Sequence, residues 1–130
     1  MLTNTKLLGK YTVLNEIGRG GMGIVYKAID ENLERPVAIK ELVISKIIDE
    51  ADQKDIIERF RREALSAASL NHSNIITIFD VGQQENINFI AMEYLPGITL
   101  KDLIDNKTPF NLVDMIEIMI QVSNGLDHAH

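Results

Sequence analysis

No cysteine occurs in the 130 residues, which excludes disulfides, thiolate metal sites and cysteine nucleophiles and fits a reducing cytoplasm. Cations are in deficit as well. Thirteen Lys and Arg against nineteen Asp and Glu give a formal charge of −6 and a pI near 5.0. With no basic stripe to hold a phosphate backbone, a nucleic-acid partner is not expected. The histidines offer little for a metal, because His128 and His130 are two apart and on a helix point to different faces. No stretch is long and apolar enough to span a bilayer, and the N-terminal MLTNTKLLGKY lacks the apolar core of a signal peptide. Internal repeats and low-complexity tracts are also absent. What is present is 45% hydrophobic and 25% charged residues, enough for a packed core in one small domain or in part of a larger one.

The most specific chemistry lies between Ile17 and Lys40, IGRGGMGIVYKAIDENLERPVAIK. Gly18, Gly20 and Gly23 form a G-x-G-x-x-G loop, whose missing β-carbons let backbone N–H groups approach a polyphosphate closely. The same spacing opens a dinucleotide-binding turn, but there the loop runs straight into a helix. Here the β-branched and aromatic run Ile24-Val25-Tyr26-Lys27-Ala28 follows, then the turn residues Asp30-Glu31-Asn32, then Val37-Ala38-Ile39-Lys40. The spacing therefore predicts strand, glycine turn, strand, turn, strand. Side chains alternate along a strand, so Val37 and Ile39 share one face while Ala38 and Lys40 share the other.

These two runs together resemble the protein kinase family, whose signature pairs G-x-G-x-x-G-x-V with V-A-I-K. Both halves are matched without substitution. The resemblance implies an ATP site in which Val25 covers the adenine, Ala38 lines its pocket and Lys40 pairs with the α- and β-phosphates, with Ile17, Gly18, Gly20 and Gly23 in the covering loop. It also implies an α+β fold: a five-stranded antiparallel sheet with one regulatory helix, then a hinge and the first helices of a second lobe.

Elsewhere the chain fits that outline. Tyr11 to Glu16 reads as a first strand after a loose lead-in, Lys6 to Lys10. Acidic Asp49, Glu50, Asp52 and Asp55 suit the first turn of a helix. Ile56, Phe60, Glu63, Ala67 and Leu70 then recur at spacings of three and four, as on one helix face. Glu63 is the odd member, since a carboxylate facing an apolar interior needs a cationic partner. Lys40 is the natural candidate; the alternative is an exposed Glu63 paired with Arg59 or Lys54. FRREALSAASLNHSNI is similar to the kinase helix whose glutamate pairs with the strand lysine. His72, in the break that follows, reads as structural. Ile75 to Phe79 is expected as a strand, Gly82 to Asn86 as a turn and Asn88 to Met92 as a strand. MEYLPG resembles the kinase hinge, with Met92 as gatekeeper and the backbone of Glu93 and Leu95 on the adenine edge. Thr99 and Asp102 suit a capping box.

Asn111 is a plausible N-cap for LVDMIEIMIQVSNGLDHAH. Leu112, Met115, Met119, Val122 and Leu126 mark one stripe, and Val113, Ile116, Ile118 and Ile120 widen it, as in a helix buried on several sides. It resembles the central helix of the kinase C-lobe. The expected organisation is a lead-in over 1–10, an N-lobe and hinge over 11–95, and the start of a helical lobe over 96–130. In the family the catalytic loop and the D-F-G metal aspartate follow this helix, and neither motif occurs in these residues. No catalytic residue or metal ligand is therefore expected here, and phosphoryl transfer is not expected from these residues alone. The implied ligand is ATP, with Mg only in a complete kinase, and the full-length substrates are proteins phosphorylated on Ser or Thr. GRGGMGIVYKA looks most like a bacterial-type serine/threonine kinase, cytoplasmic or the cytoplasmic part of a membrane-anchored protein. The competing expectation is a non-catalytic module of kinase shape that binds nucleotide or a partner. An apolar helix with uncovered faces predicts that the isolated chain self-associates or has a partly molten C-terminal half, whereas a monomer with a protected helix would favour the non-catalytic module.

Overall fold

Three consecutive hairpins build the frame that positions everything else. The computed structural model describes residues 2–130, as β1 (Lys6–Leu7), β2 (Tyr11–Gly20), β3 (Gly23–Asp30), β4 (Arg35–Leu42), α1 (Glu50–Ala68), β5 (Ile78–Gln84), β6 (Ile87–Glu93), α2 (Leu100–Asp105) and α3 (Leu112–Ala129). The strands form one sheet in the order β1-β2-β3-β4-β6-β5, with every neighbouring pair antiparallel. Alternation sorts its side chains. Tyr11, Val13, Ile24, Tyr26, Ala28, Val37, Ile39, Phe89 and Ala91 make one buried cluster together with Leu2 and Leu7. The opposite face contributes Leu42 and Ile90, with half-buried Ile78, Val81 and Met92, to a second cluster under α1. The β3–β4 turn is held by the Asp30 carboxylate, which accepts the N–H groups of Asn32 (3.0 Å) and Leu33 (3.2 Å), with Glu34 at φ 52.

The sheet has six strands rather than the five expected, because the lead-in belongs to it. Leu2 and Leu7 are buried against the first cluster, and that burial draws Lys6–Leu7 into register with Tyr11 and Thr12. Although β1 and β5 lie at opposite ends of the strand order, the Gln84 carboxamide joins them, accepting from the Leu8 N–H at 2.8 Å and donating to the Lys6 carbonyl at 3.2 Å. Asp80 adds an ion pair to Lys10 (3.3 Å) and accepts the Tyr11 hydroxyl (3.2 Å). The hydrogen bond to Asp80 raises the Lys10 pKa, and burial raises that of Tyr11. β5 also starts later than expected, at Ile78, and runs through Gly82 to turn at Glu85 and Asn86. Gly82 is a packing requirement rather than a breaker, since a Cβ there would lie 2.5 Å from the Phe89 ring and 3.1 Å from Leu8.

Asp49 caps α1, accepting the Asp52 N–H at 3.0 Å. The helix buries Phe60 and Ala64 and half-buries Ile56 and Ile57 against the second cluster. Glu63 is exposed, contrary to the inward position expected for it. At 100° per residue the buried face centres between Phe60 and Ala64, which leaves Glu63 about 80° away from it. Thr99 and Asp102 form the expected capping box on α2, and the hydrogen bonds from Thr99 hold the Asp102 carboxyl below its ordinary value. Asn111 caps α3 through the Asp114 N–H (2.8 Å). Only Gly125 of α3 is buried; a Cβ there would meet the Asn74 carbonyl at 3.0 Å. Beside that contact the rings of His72 and His128 stack at 4.9 Å. Among the described residues no helix is long and apolar enough to cross a membrane.

Candidate nucleotide-binding site

The register of β2, β3, β4 and β6 brings most of the motif residues onto one face. Gly18 pairs with Val25, Val25 with Lys40, and Lys40 with Ile90, forming one row across four strands. The next row on that face is Asn15, Lys27, Ala38, Met92 and Ile78. Directly paired residues point to the same side of a sheet, so Val25, Ala38, Lys40 and Met92 share a face. α1 packs beside them, and Met92 joins its cluster. Ile17 sits in an irregular step of β2 between Glu16 and Gly18 and is 46% exposed. The glycine hairpin turns at Gly21 and Met22, beyond the Lys40 end of the row, with Gly20 opposite Gly23.

The three motif glycines are not equivalent. A Cβ on Gly23 would fall 2.1 Å from the Glu41 carbonyl oxygen, so the approach of β3 to β4 demands glycine there. Gly20 has open space around the Cβ position, and at Gly18 the nearest atom, Val25 Cβ, is 3.9 Å away. Neither has a positive φ. The chain's own packing and backbone thus do not require glycine at these two positions.

Lys40 is half-buried, and among the described residues its ammonium has no ion pair or hydrogen bond. The Lys40–Glu63 pair expected from the sequence is not formed. Glu63 faces solvent beside Arg62, Ser66, Ala67 and Leu70 instead. At the hinge, Glu93 is fastened to the strand lead-in: its N–H donates to the Thr77 carbonyl (2.9 Å), and its carboxylate accepts the Thr77 N–H (3.1 Å). Leu95 follows, 56% exposed, with an N–H that donates to no protein group among the described residues. A cavity of about 310 Å³ lies behind the hinge, lined by residues that include Ile76, Glu93, Leu95 and Ile118. Its lining does not include Lys40 or Ala38. Two residues of this face carried no motif signal. Lys27 sits across from Ala38, and its ammonium lies 4.9 Å above the centre of the Tyr94 ring; strand alternation from Val25 was the signal that could have found it. Among the described residues no three His, Cys, Asp or Glu side chains are grouped to hold a metal.

As a donor set this face suits a nucleoside polyphosphate. It combines an unpaired ammonium, a glycine hairpin with exposed backbone and a free hinge N–H, placed along one side of a small-residue floor at Ala38.

Comparison with known proteins agrees with this geometry. A protein kinase domain model matches residues 11–130. The chain is 44% identical over 130 residues to the serine/threonine-protein kinase PrkC of Bacillus subtilis, covering all of this chain and 19% of that protein. It is 42% identical over 123 residues to the probable serine/threonine-protein kinase PknB of Lactococcus lactis, covering 93% of this chain and again 19% of the relative. Among solved structures, the PknI kinase domain of Mycobacterium tuberculosis superposes with a TM-score of 0.77 at 28% identity, over the whole of this chain and 52% of that one. The chain therefore spans about a fifth of the length of these curated relatives and about half of the solved kinase domain. With the family model covering residues 11–130 and the whole length of this fold superposing on a solved kinase domain, the chain belongs to the protein kinase family.

Proposed function

We propose that this chain is the ATP-binding portion of a protein serine/threonine kinase, which transfers the γ-phosphoryl group of ATP to Ser or Thr of protein substrates when the rest of the catalytic machinery is supplied. One observation carries the reading: the Gly18, Val25, Lys40 row sets a glycine hairpin beside a half-buried ammonium that has no partner of its own. In this reading Gly18, Gly20 and Gly23 cover the phosphates and Lys40 holds the α- and β-phosphates. Ile17, Val25, Ala38 and Met92 enclose the base, and the backbone of Glu93 and Leu95 receives its edge. When bound, ATP supplies the transferable phosphoryl group; the chain's residues bind and orient it. Residues 11–95 act as the N-lobe with hinge, closed by the lead-in strand, and 96–130 begin the helical lobe. Cytoplasm is the compartment proposed for this portion, since its substrates are ATP and intracellular proteins.

Pairing of Glu63 with Lys40 belongs to the same proposal and requires α1 to present Glu63 toward the sheet rather than to solvent. The experiment that tests the reading is an ATP titration of the wild-type chain and Lys40→Met, followed by amide chemical shifts and paired with thermal melts. Loss of ATP binding with a nearly unchanged Tm is expected, because the Lys40 ammonium bonds to nothing in the fold. Equal ATP affinity in the two proteins would overturn the assignment.

A further inference from the structure

Ala38 is only 6% exposed although no ligand covers it. Its neighbours across the sheet are Lys27 and Met92. Lys27 has no carboxylate within ion-pair distance among the described residues, and its ammonium lies instead on the face of the Tyr94 ring, 4.9 Å from the centroid. Tyr94 follows Glu93, and Glu93 pairs with Val37, so this contact lies at the hinge end of β4. Lys40 lies two residues further along the strand from Ala38, about 7 Å in the opposite direction. The sheet face that carries Ala38 thus has two differently built ends: an unpaired ammonium at Lys40 and a cation on an aromatic ring at Lys27 and Tyr94.

Resting on the ATP-site reading, the geometry points to Lys27 and Tyr94 as positioning residues that bound the hinge end of this face and set the position of the base relative to Lys40. A base that cannot slide past Ala38 toward the hinge keeps its edge on the Leu95 N–H and its phosphates in reach of Lys40. The pair acts as a unit, because the ring orients the lysine stem and the ammonium holds the ring beside the strand that pairs with Ala38. An exposed cation–π contact shifts an equilibrium about two- to fivefold, and that is the size of the expected effect on ATP affinity.

The test is an ATP titration of the isotope-labelled 130-residue chain by amide chemical shifts, with the Tm of each variant recorded. Lys27→Ala and Tyr94→Ala should each weaken ATP about two- to fivefold, and the double variant should be no weaker than either. Lys27→Arg and Tyr94→Phe keep cation and ring and should bind as wild type. The shift of the Leu95 amide on binding should shrink in the alanine variants, while those of Gly18 to Gly23 persist. Additive losses, a Tyr94→Phe as weak as Tyr94→Ala, or unaltered binding in all variants while Lys40→Met loses it would overturn the pairing and leave the ATP site standing. A wild-type chain whose cleft amides do not respond to ATP would overturn both.

Discussion

The three glycines of the loop should separate cleanly into one that serves the fold and two that serve a ligand. In Gly23→Ala the new methyl would sit 2.1 Å from the Glu41 carbonyl oxygen and 3.2 Å from its carbon, so β3 and β4 have to part by about an ångström to restore van der Waals contact. Overpacking of that kind costs about 1–3 kcal/mol. For a chain of this size each kcal/mol lowers Tm by roughly 3–5 °C, which gives an expected drop of about 3–15 °C. Gly20→Ala meets nothing within 4 Å and has no positive φ, so the folded state accepts it. The loss of chain entropy in the unfolded state should leave Tm unchanged or raise it, by up to about 1 kcal/mol of stability. Its cost should fall on ATP instead, because the methyl stands where the loop backbone would approach the phosphates. Thermal unfolding by circular dichroism and ATP titration on both variants read the two effects independently. A Gly23→Ala protein that melts with wild type, or a Gly20→Ala protein that binds ATP undiminished, would refute the division.

Three further outcomes follow from particular contacts. Gly82→Ala should destabilise the sheet, because the Phe89 ring 2.5 Å away is itself buried and Leu8 blocks the other side; the check is a lowered urea midpoint with an unchanged m value. The Asp102 pKa is depressed by its hydrogen bonds to Thr99, so its contribution to α2 is present above the unfolded value of 3.8 and is lost as pH falls through the lower folded value. Amide exchange at Thr99 and Leu103 should therefore quicken only in strong acid, and Asp102→Asn should remove that pH dependence. The exposed apolar face of α3, Leu112, Met115, Ile116, Met119 and Ile120 among others, should make the isolated chain self-associate, each large side chain gaining up to about 1.5–3 kcal/mol on full burial. Concentration-independent sedimentation as a monomer, with slow amide exchange along α3, would contradict this.

Much of this architecture was legible because local patterns and tertiary needs coincide. Between Gly18 and Lys40 the alternation of Val25, Tyr26, Val37, Ala38 and Ile39, broken by Asp30-Glu31-Asn32, has one consistent reading, and the observed register follows it residue by residue. The caps at Thr99 and Asn111 were readable for the same reason, since each side chain satisfies an N–H three residues on; Asp49, read as part of the acidic first turn, caps α1 instead. Legibility failed where a residue's role depends on something distant in sequence. Gly82 resembles a turn glycine until Phe89 and Leu8 are placed against it. Lys6 and Leu7 carry no strand signal of their own and pair because Leu2 and Leu7 find a buried surface, while Gln84, from the far end of the sheet, fastens the segment. Glu63 shows the limit most clearly. Spacings of three and four from Phe60 reach both Glu63 and Ala64, so the pattern admits either as the inward residue. The choice is made by Ile78, Val81 and Ile90 on the sheet, which offer an apolar surface that Ala64 fills. A helix phase of this kind is an equilibrium set by packing. The Glu63–Lys40 pairing proposed above is therefore a second phase of α1, and a ligand reaches it only by binding that phase more tightly than the one that turns Glu63 to solvent.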